Sequence, residues 1–163
     1  MGLFGLGKRK ITAESIGRSF ANATMNADDC WADICKLRSY KTDGVIATCE
    51  MAFARAALTK SILCDAVPSG VAVRISAAID AAVLDSFTGQ DTATTDAFYG
   101  EALGNAAPKR VAKYLENAFP CAQLASNLGV QLGVSGIPAV EADFMFEAVE
   151  RRVRKALATV KIV

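Results

Sequence analysis

From Thr12 onward, apolar side chains in this chain recur every three or four residues, and prolines, glycines and cap-forming polar residues interrupt the runs. That period puts the apolar groups of each run on one side of an α-helix, and the interruptions are the usual helix stops and starts. Thirty of the 163 residues are alanine and only 7% are aromatic, which suits closely packed helices better than a pleated sheet. The length allows one sizeable apolar core. The expected fold class is all-α: a single-domain helical bundle of about five to seven helices over residues 12–163, preceded by an N-terminal apolar and basic arm, residues 1–11.

Thr12 is placed to cap a helix whose face is Ile16, Phe20, Ala23, Ala27, Trp31, Ile34 and Leu37. The pattern breaks around Tyr40 to Gly44, and a second helix is expected from Val45 to about Ala66 with a mainly small inner stripe. Pro68 stops it and Ser69 is positioned to cap the next, whose apolar body runs from Val71 through Leu84 to Phe87. Thr88 to Thr95 reads as a polar loop. A shorter helix is expected from Asp96 to about Leu103, with Gly104 to Pro108 as a stop followed by a start. Val111, Tyr114, Leu115 and Ala118 make the next apolar face.

Between Glu116 and Glu141 no residue is charged. The stretch is long enough to raise the question of a membrane span, but its prolines, glycines, Asn, Gln and Ser make it a poor one. Leu124, Leu128 and Leu132 recur every fourth position, as do Ala125, Gly129 and Gly133. The second series forms a small-residue ladder that would admit a close helix partner. A central buried helix is the expectation here. Ser135 to Pro138 turns into a last helix carrying Phe146, Val149, Val153, Ala156 and Val160. Glu147 can pair with Arg151 and Glu150 with Arg154, and the basic group Arg151, Arg152, Arg154 and Lys155 suits a solvated helix C-terminus.

There is no histidine, which removes Ser–His–Asp and Cys–His triads and His-ligated metal sites. The five cysteines form no C-x-x-C pair and read as reduced thiols in a cytoplasmic protein. The acidic run Asp28 to Asp33 resembles a magnesium-binding helix motif, but its third carboxylate falls one residue late. No metal or cofactor is expected, no catalytic residue is assigned, and the chemistry leans away from an enzyme. Gly2 to Lys8 approximates a phosphate-binding loop without the following Ser or Thr, so the match carries no weight.

Eighteen basic residues against seventeen acidic argue against a nucleic-acid binder. High mean hydropathy, the ladder and an acidic stretch from Asp65 to Glu101 point to a non-enzymatic protein-interaction or assembly subunit that self-associates. Its contacts are expected at Leu124, Ala125, Leu128, Gly129, Gly133, Leu3, Phe4, Arg151 and Arg152. Two alternatives stand beside it. One is a helical domain binding an apolar small molecule between Leu124, Leu128, Phe144 and Phe146. The other is a peripheral membrane protein making weak surface contact through Leu3, Phe4 and Leu6 with Lys8, Arg9 and Lys10.

Overall fold

Helices account for 73% of the chain and strands for 4%, so the all-α class holds. The computed structural model describes residues 8–37, 40–134 and 137–163. The elements are β1 (Arg9–Ile11), α1 (Ala13–Thr24), α2 (Ala27–Ile34), α3 (Gly44–Asp65), α4 (Ser69–Phe87), α5 (Ala93–Tyr99), α6 (Leu103–Leu115), α7 (Cys121–Gln131), α8 (Ala139–Ala142), a π-helical turn (Asp143–Glu147), α9 (Ala148–Leu157) and β2 (Val160–Ile162). Because the π turn joins α8 to α9 end to end, the described residues form eight helical rods, more than expected.

The core is organised around α3. Every residue from Cys49 to Thr59 is buried, and α2, α4, α6 and α9 all pack against this helix. Alanines at positions 52, 54, 56 and 57 let neighbours approach on several sides, so the helix is enclosed all round rather than striped. The central buried helix was therefore expected in the wrong place. In the uncharged stretch, α7 buries Leu124, Ala125, Leu128 and Gly129 on one face but leaves Gln123, Ser126 and Val130 exposed. A lack of charge there reflects neutral polar side chains, not enclosure. Gly133 is no rung of a ladder: its φ of +71° makes it the left-handed residue just beyond the end of α7, a conformation glycine adopts without strain.

The long first helix is two helices. Thr12 caps α1 as expected, but Asn26 accepts a hydrogen bond from the Asp29 N–H and starts α2 afresh. The reset rotates the face, leaving Ala23 and Ala27 exposed and Trp31 43% exposed. α1 lies closely against α4. A Cβ at Gly17 would fall 2.9 Å from the Ile75 carbonyl oxygen and 3.0 Å from the Ala78 Cβ. Two ion pairs, Arg74–Glu14 at 2.7 Å and Arg18–Asp85 at 2.8 Å, border that contact.

Other boundaries also move. Ser69 is the first residue of α4 and makes no side-chain cap. The polar loop ends at Thr92, which shares a capping box with Thr95, so α5 begins earlier than expected. Gly100, at φ +69°, ends it, and α6 runs straight through Gly104 to Pro108 because Asp91 receives the Leu103 N–H at its start. Within the π turn Phe144 faces outward while Met145 and Phe146 stay buried. Glu150 pairs with Arg154 at 2.7 Å, whereas the Glu147 carboxyl is held above the usual carboxylate range mainly by its hydrogen bond to Asp143.

The strands add a feature the helical period did not show. β1 and β2 form a parallel pair that sets Arg9 beside Val160 and Ile11 beside Ile162. The last residues of the N-terminal arm thus join the C-terminus, with Ile11 packed against the core. Among the described residues, no helix is long and apolar enough to cross a membrane.

Candidate functional site

An apolar opening lies where the end of α1, α2, the first turns of α3 and the end of α4 meet. It is a cleft of about 470 Å³. Met25, Cys49, Ala52 and Phe87 form its buried floor, while Trp31 and Val45, 43% and 51% exposed, stand at its walls. The local sequence dictates this shape. Asn26 turns α2 so that the Trp31 indole leaves the core, and Gly44 gives the ring a seat: a Cβ there would lie 3.2–3.3 Å from the indole carbons.

The polar groups of the cleft are mostly occupied. The Thr48 hydroxyl donates to the Gly44 carbonyl at 2.8 Å, and the Asp43 carboxylate caps α3 by accepting from the Val45 N–H at 2.8 Å. Burial, with help from the Glu50 charge, pushes the Cys49 thiol up to about 12, so it is not poised as a thiolate nucleophile. What the cleft offers a ligand is apolar surface, in a volume typical of binding pockets.

One residue further along α3 the chemistry changes completely. Glu50 is fully buried and accepts four hydrogen bonds: Tyr99 Oη at 2.9 Å, Tyr114 Oη at 2.6 Å, and Arg110 through Nε at 3.0 Å and an Nη at 2.7 Å. The same Arg110 group also donates to Gln131 Oε1 at 2.6 Å. Burial first, and then the adjacent Glu50 charge, raise both tyrosine hydroxyls well above their ordinary range. Burial alone would lower the Arg110 guanidinium, but its bonds to Glu50 outweigh that and hold it high. Since each carboxylate oxygen already accepts two donors, the group acts as a lock between α3, α5, α6 and α7 rather than as an acid or base for a substrate.

A second buried pair, Arg55 with Asp33, ties α3 to α2, and Lys36 joins Asp33 at 2.5 Å. The Asp28 to Asp33 run consequently does not gather its carboxylates: Asp33 turns inward onto Arg55, whereas Asp28 and Asp29 stay exposed. Among the described residues no three acidic or cysteine side chains converge on a common point.

The expected contact residues scatter. Leu124, Ala125 and Leu128 are fully buried within this chain's own core, and Gly129 is buried beside them, so they form no outward ladder. Leu124, Leu128 and Phe146 are fully buried, whereas Phe144, two residues from Phe146 in the π turn, is 67% exposed, so the four do not stand together as walls. The apolar cleft lies at α2, α3 and α4 instead. Arg151 and Arg152 are exposed, as a solvated end requires, and Lys8, Arg9 and Lys10 are exposed too. Leu3, Phe4 and Leu6 lie outside the described residues.

No family model matches the chain, and neither a curated protein nor a solved structure does. The cleft was absent from the sequence expectations because its walls come from three separate segments. A sequence signal for it is Trp31, a large side chain inside the short helix that Asn26 caps. Glu50 left a clearer trace, a lone acid in the middle of an apolar helix.

Proposed function

We propose that the chain is a single-domain helical bundle acting without catalysis, through protein contacts in a cytoplasmic setting, and that the contact is made at the apolar cleft. The cleft itself carries this reading. Trp31 and Val45 are large apolar groups left in water next to a buried apolar floor, and a partner's side chains would cover them. Full burial of one such side chain contributes about 1.5–3 kcal/mol, enough for a few of them to hold a complex. The buried carboxylates are already consumed by the fold, which leaves recognition as the chemistry on offer.

Val45→Asp tests this. Val45 is exposed at the first turn of α3, so a carboxylate there leaves the fold intact while placing a charge in the apolar mouth. The expected result is an unchanged melting temperature with a solution mass that falls from that of an assembly, in the wild type, to that of a single chain. Identical assembly in the variant would refute the cleft as a contact site.

A second reading follows from the cleft's volume: a compact apolar small molecule would fit the same walls. It predicts thermal stabilisation and a blue-shifted Trp31 emission on ligand addition with no change in mass.

A further inference from the structure

We propose that the occupant of the cleft is the N-terminal tip of a second copy of this chain, with Leu3, Phe4 and Leu6 of one protomer entering between Trp31, Val45 and Phe87 of the next. This rests on reading the cleft as a contact site. Residues 1–7, Met-Gly-Leu-Phe-Gly-Leu-Gly, lie outside the described residues and are uniformly uncharged, with three large apolar side chains in four positions. They are followed at once by the exposed basic triplet Lys8, Arg9 and Lys10.

The cleft carries the matching pattern. Asp43 lines it, and Asp28 and Asp91 adjoin the lining residues Ala27 and Gln90. All three are exposed, and no basic residue lines the cleft or flanks a lining position among the described residues. An apolar tip beside a basic triplet therefore meets an apolar hole beside acidic groups. Such complementarity fixes orientation and speeds encounter.

Geometry favours another copy over the same chain. Arg9 and Lys10 are held in β1, which leads into the start of α1, whereas Met25 at the cleft floor closes the end of that helix. The twelve residues of α1 separate the two by about 18 Å. Within one protomer the tip could approach the cleft only by running back along α1, and the basic triplet would be left a helix length from Asp28 and Asp43. A second copy brings tip and triplet to the cleft together. Two copies can exchange tips reciprocally in a closed two-fold dimer, or pass them head-to-tail in a ring or open chain.

Trp31 is the single tryptophan and lies at the docking site, so its emission reports occupancy. The experiment follows emission and solution mass of the full-length chain through a dilution series, alongside Leu3→Asp/Phe4→Asp and Val45→Asp. The expected result is a red shift of the wild-type emission on dilution, in step with falling mass. Leu3→Asp/Phe4→Asp should be monomeric with red-shifted emission throughout, and a synthetic peptide of residues 1–10 added to it should restore the blue shift. Added salt should weaken both effects, since the charges are exposed.

If Leu3→Asp/Phe4→Asp assembles like wild type while Val45→Asp does not, the tip is not the occupant, although the cleft remains a contact site. If neither substitution changes assembly, both this inference and the cleft reading fall. A blue-shifted wild-type emission that is independent of concentration, lost in Leu3→Asp/Phe4→Asp and accompanied by a monomeric mass would place the tip in its own cleft and overturn the second copy.

Discussion

Cys49 and Glu50 are neighbours on α3, yet they serve regions that differ in almost every physical respect. Cys49 helps floor an open apolar cleft whose walls are still in water, while Glu50 is enclosed with all four of its hydrogen bonds made. A helix step of about 100° separates the two directions. Toward α5, α6 and α7 the chain supplies two tyrosines, an arginine and a glutamine, and the polar group closes. Toward α2 and the end of α4 it supplies apolar walls that do not meet. A buried polar group must find partners inside the chain, whereas unfilled apolar surface can wait for one from outside.

Removing the closed side should produce the largest effect. Glu50→Ala would leave two tyrosine hydroxyls without their acceptor and the Arg110 guanidinium with Gln131 as its remaining partner. Breaking one member of a buried charged network costs about 3–5 kcal/mol. Chemical denaturation should show a loss of that order. If Glu50→Ala unfolds at the same denaturant concentration as wild type, the network does not lock the four helices.

The close approach of α1 to α4 comes next. Gly17→Leu would drive a branched side chain into the Ile75 carbonyl and Ala78, and such overpacking costs about 1–3 kcal/mol, against a helix-propensity gain of about 1 kcal/mol. The melting temperature should fall. A stable Gly17→Leu protein would mean that α1 and α4 can separate without cost, and the cleft at their far ends would then be less rigid than its buried floor implies.

The same contrast explains what the sequence made legible. Long elements bounded by strong signals came through: α3 ends before Pro68, and Thr12 caps α1. Ala125 and Gly129 recur at a four-residue spacing and both are buried, while a close contact between α1 and α4 is made by Gly17 against Ala78, two small residues far apart in sequence. Spacing within one helix shows which residues share a face and is silent about what covers it. Glu50 could have been singled out, since an acid inside an apolar run needs partners; that they would be Tyr99, Arg110 and Tyr114 depends on long-range packing. The cleft was illegible for a related reason, as nothing local connects Trp31, Val45 and Phe87.

Thiol reactivity sharpens the comparison at smaller scale. Cys35 is exposed, whereas burial pushes Cys49 up to about 12 and Cys30 up to about 11. At mildly alkaline pH an alkylating reagent should label Cys35 first and leave Cys49 unmodified in the folded protein, even though Cys49 lines the cleft. Rapid labelling of Cys49 would show that the floor opens to solvent.

The smallest effect is expected at the surface clamp beside the α1–α4 contact. Arg74 bonds the Glu14 carboxylate through Nε at 2.7 Å and an Nη at 2.9 Å, and these bonds hold the Glu14 carboxyl at about 2, against an ordinary 4.5. A folded-state pKa below the unfolded one means that the group stabilises the fold above about 4.5 and loses that contribution as the pH falls toward about 2. Because both side chains are about half exposed, solvent and salt screen most of it. Arg74→Gln should therefore lower the melting temperature slightly at neutral pH and not at all near pH 2, so that the two melting curves converge on acidification. A gap that persists into strong acid would assign the effect of Arg74 to packing of its aliphatic stem over α1 rather than to its charge.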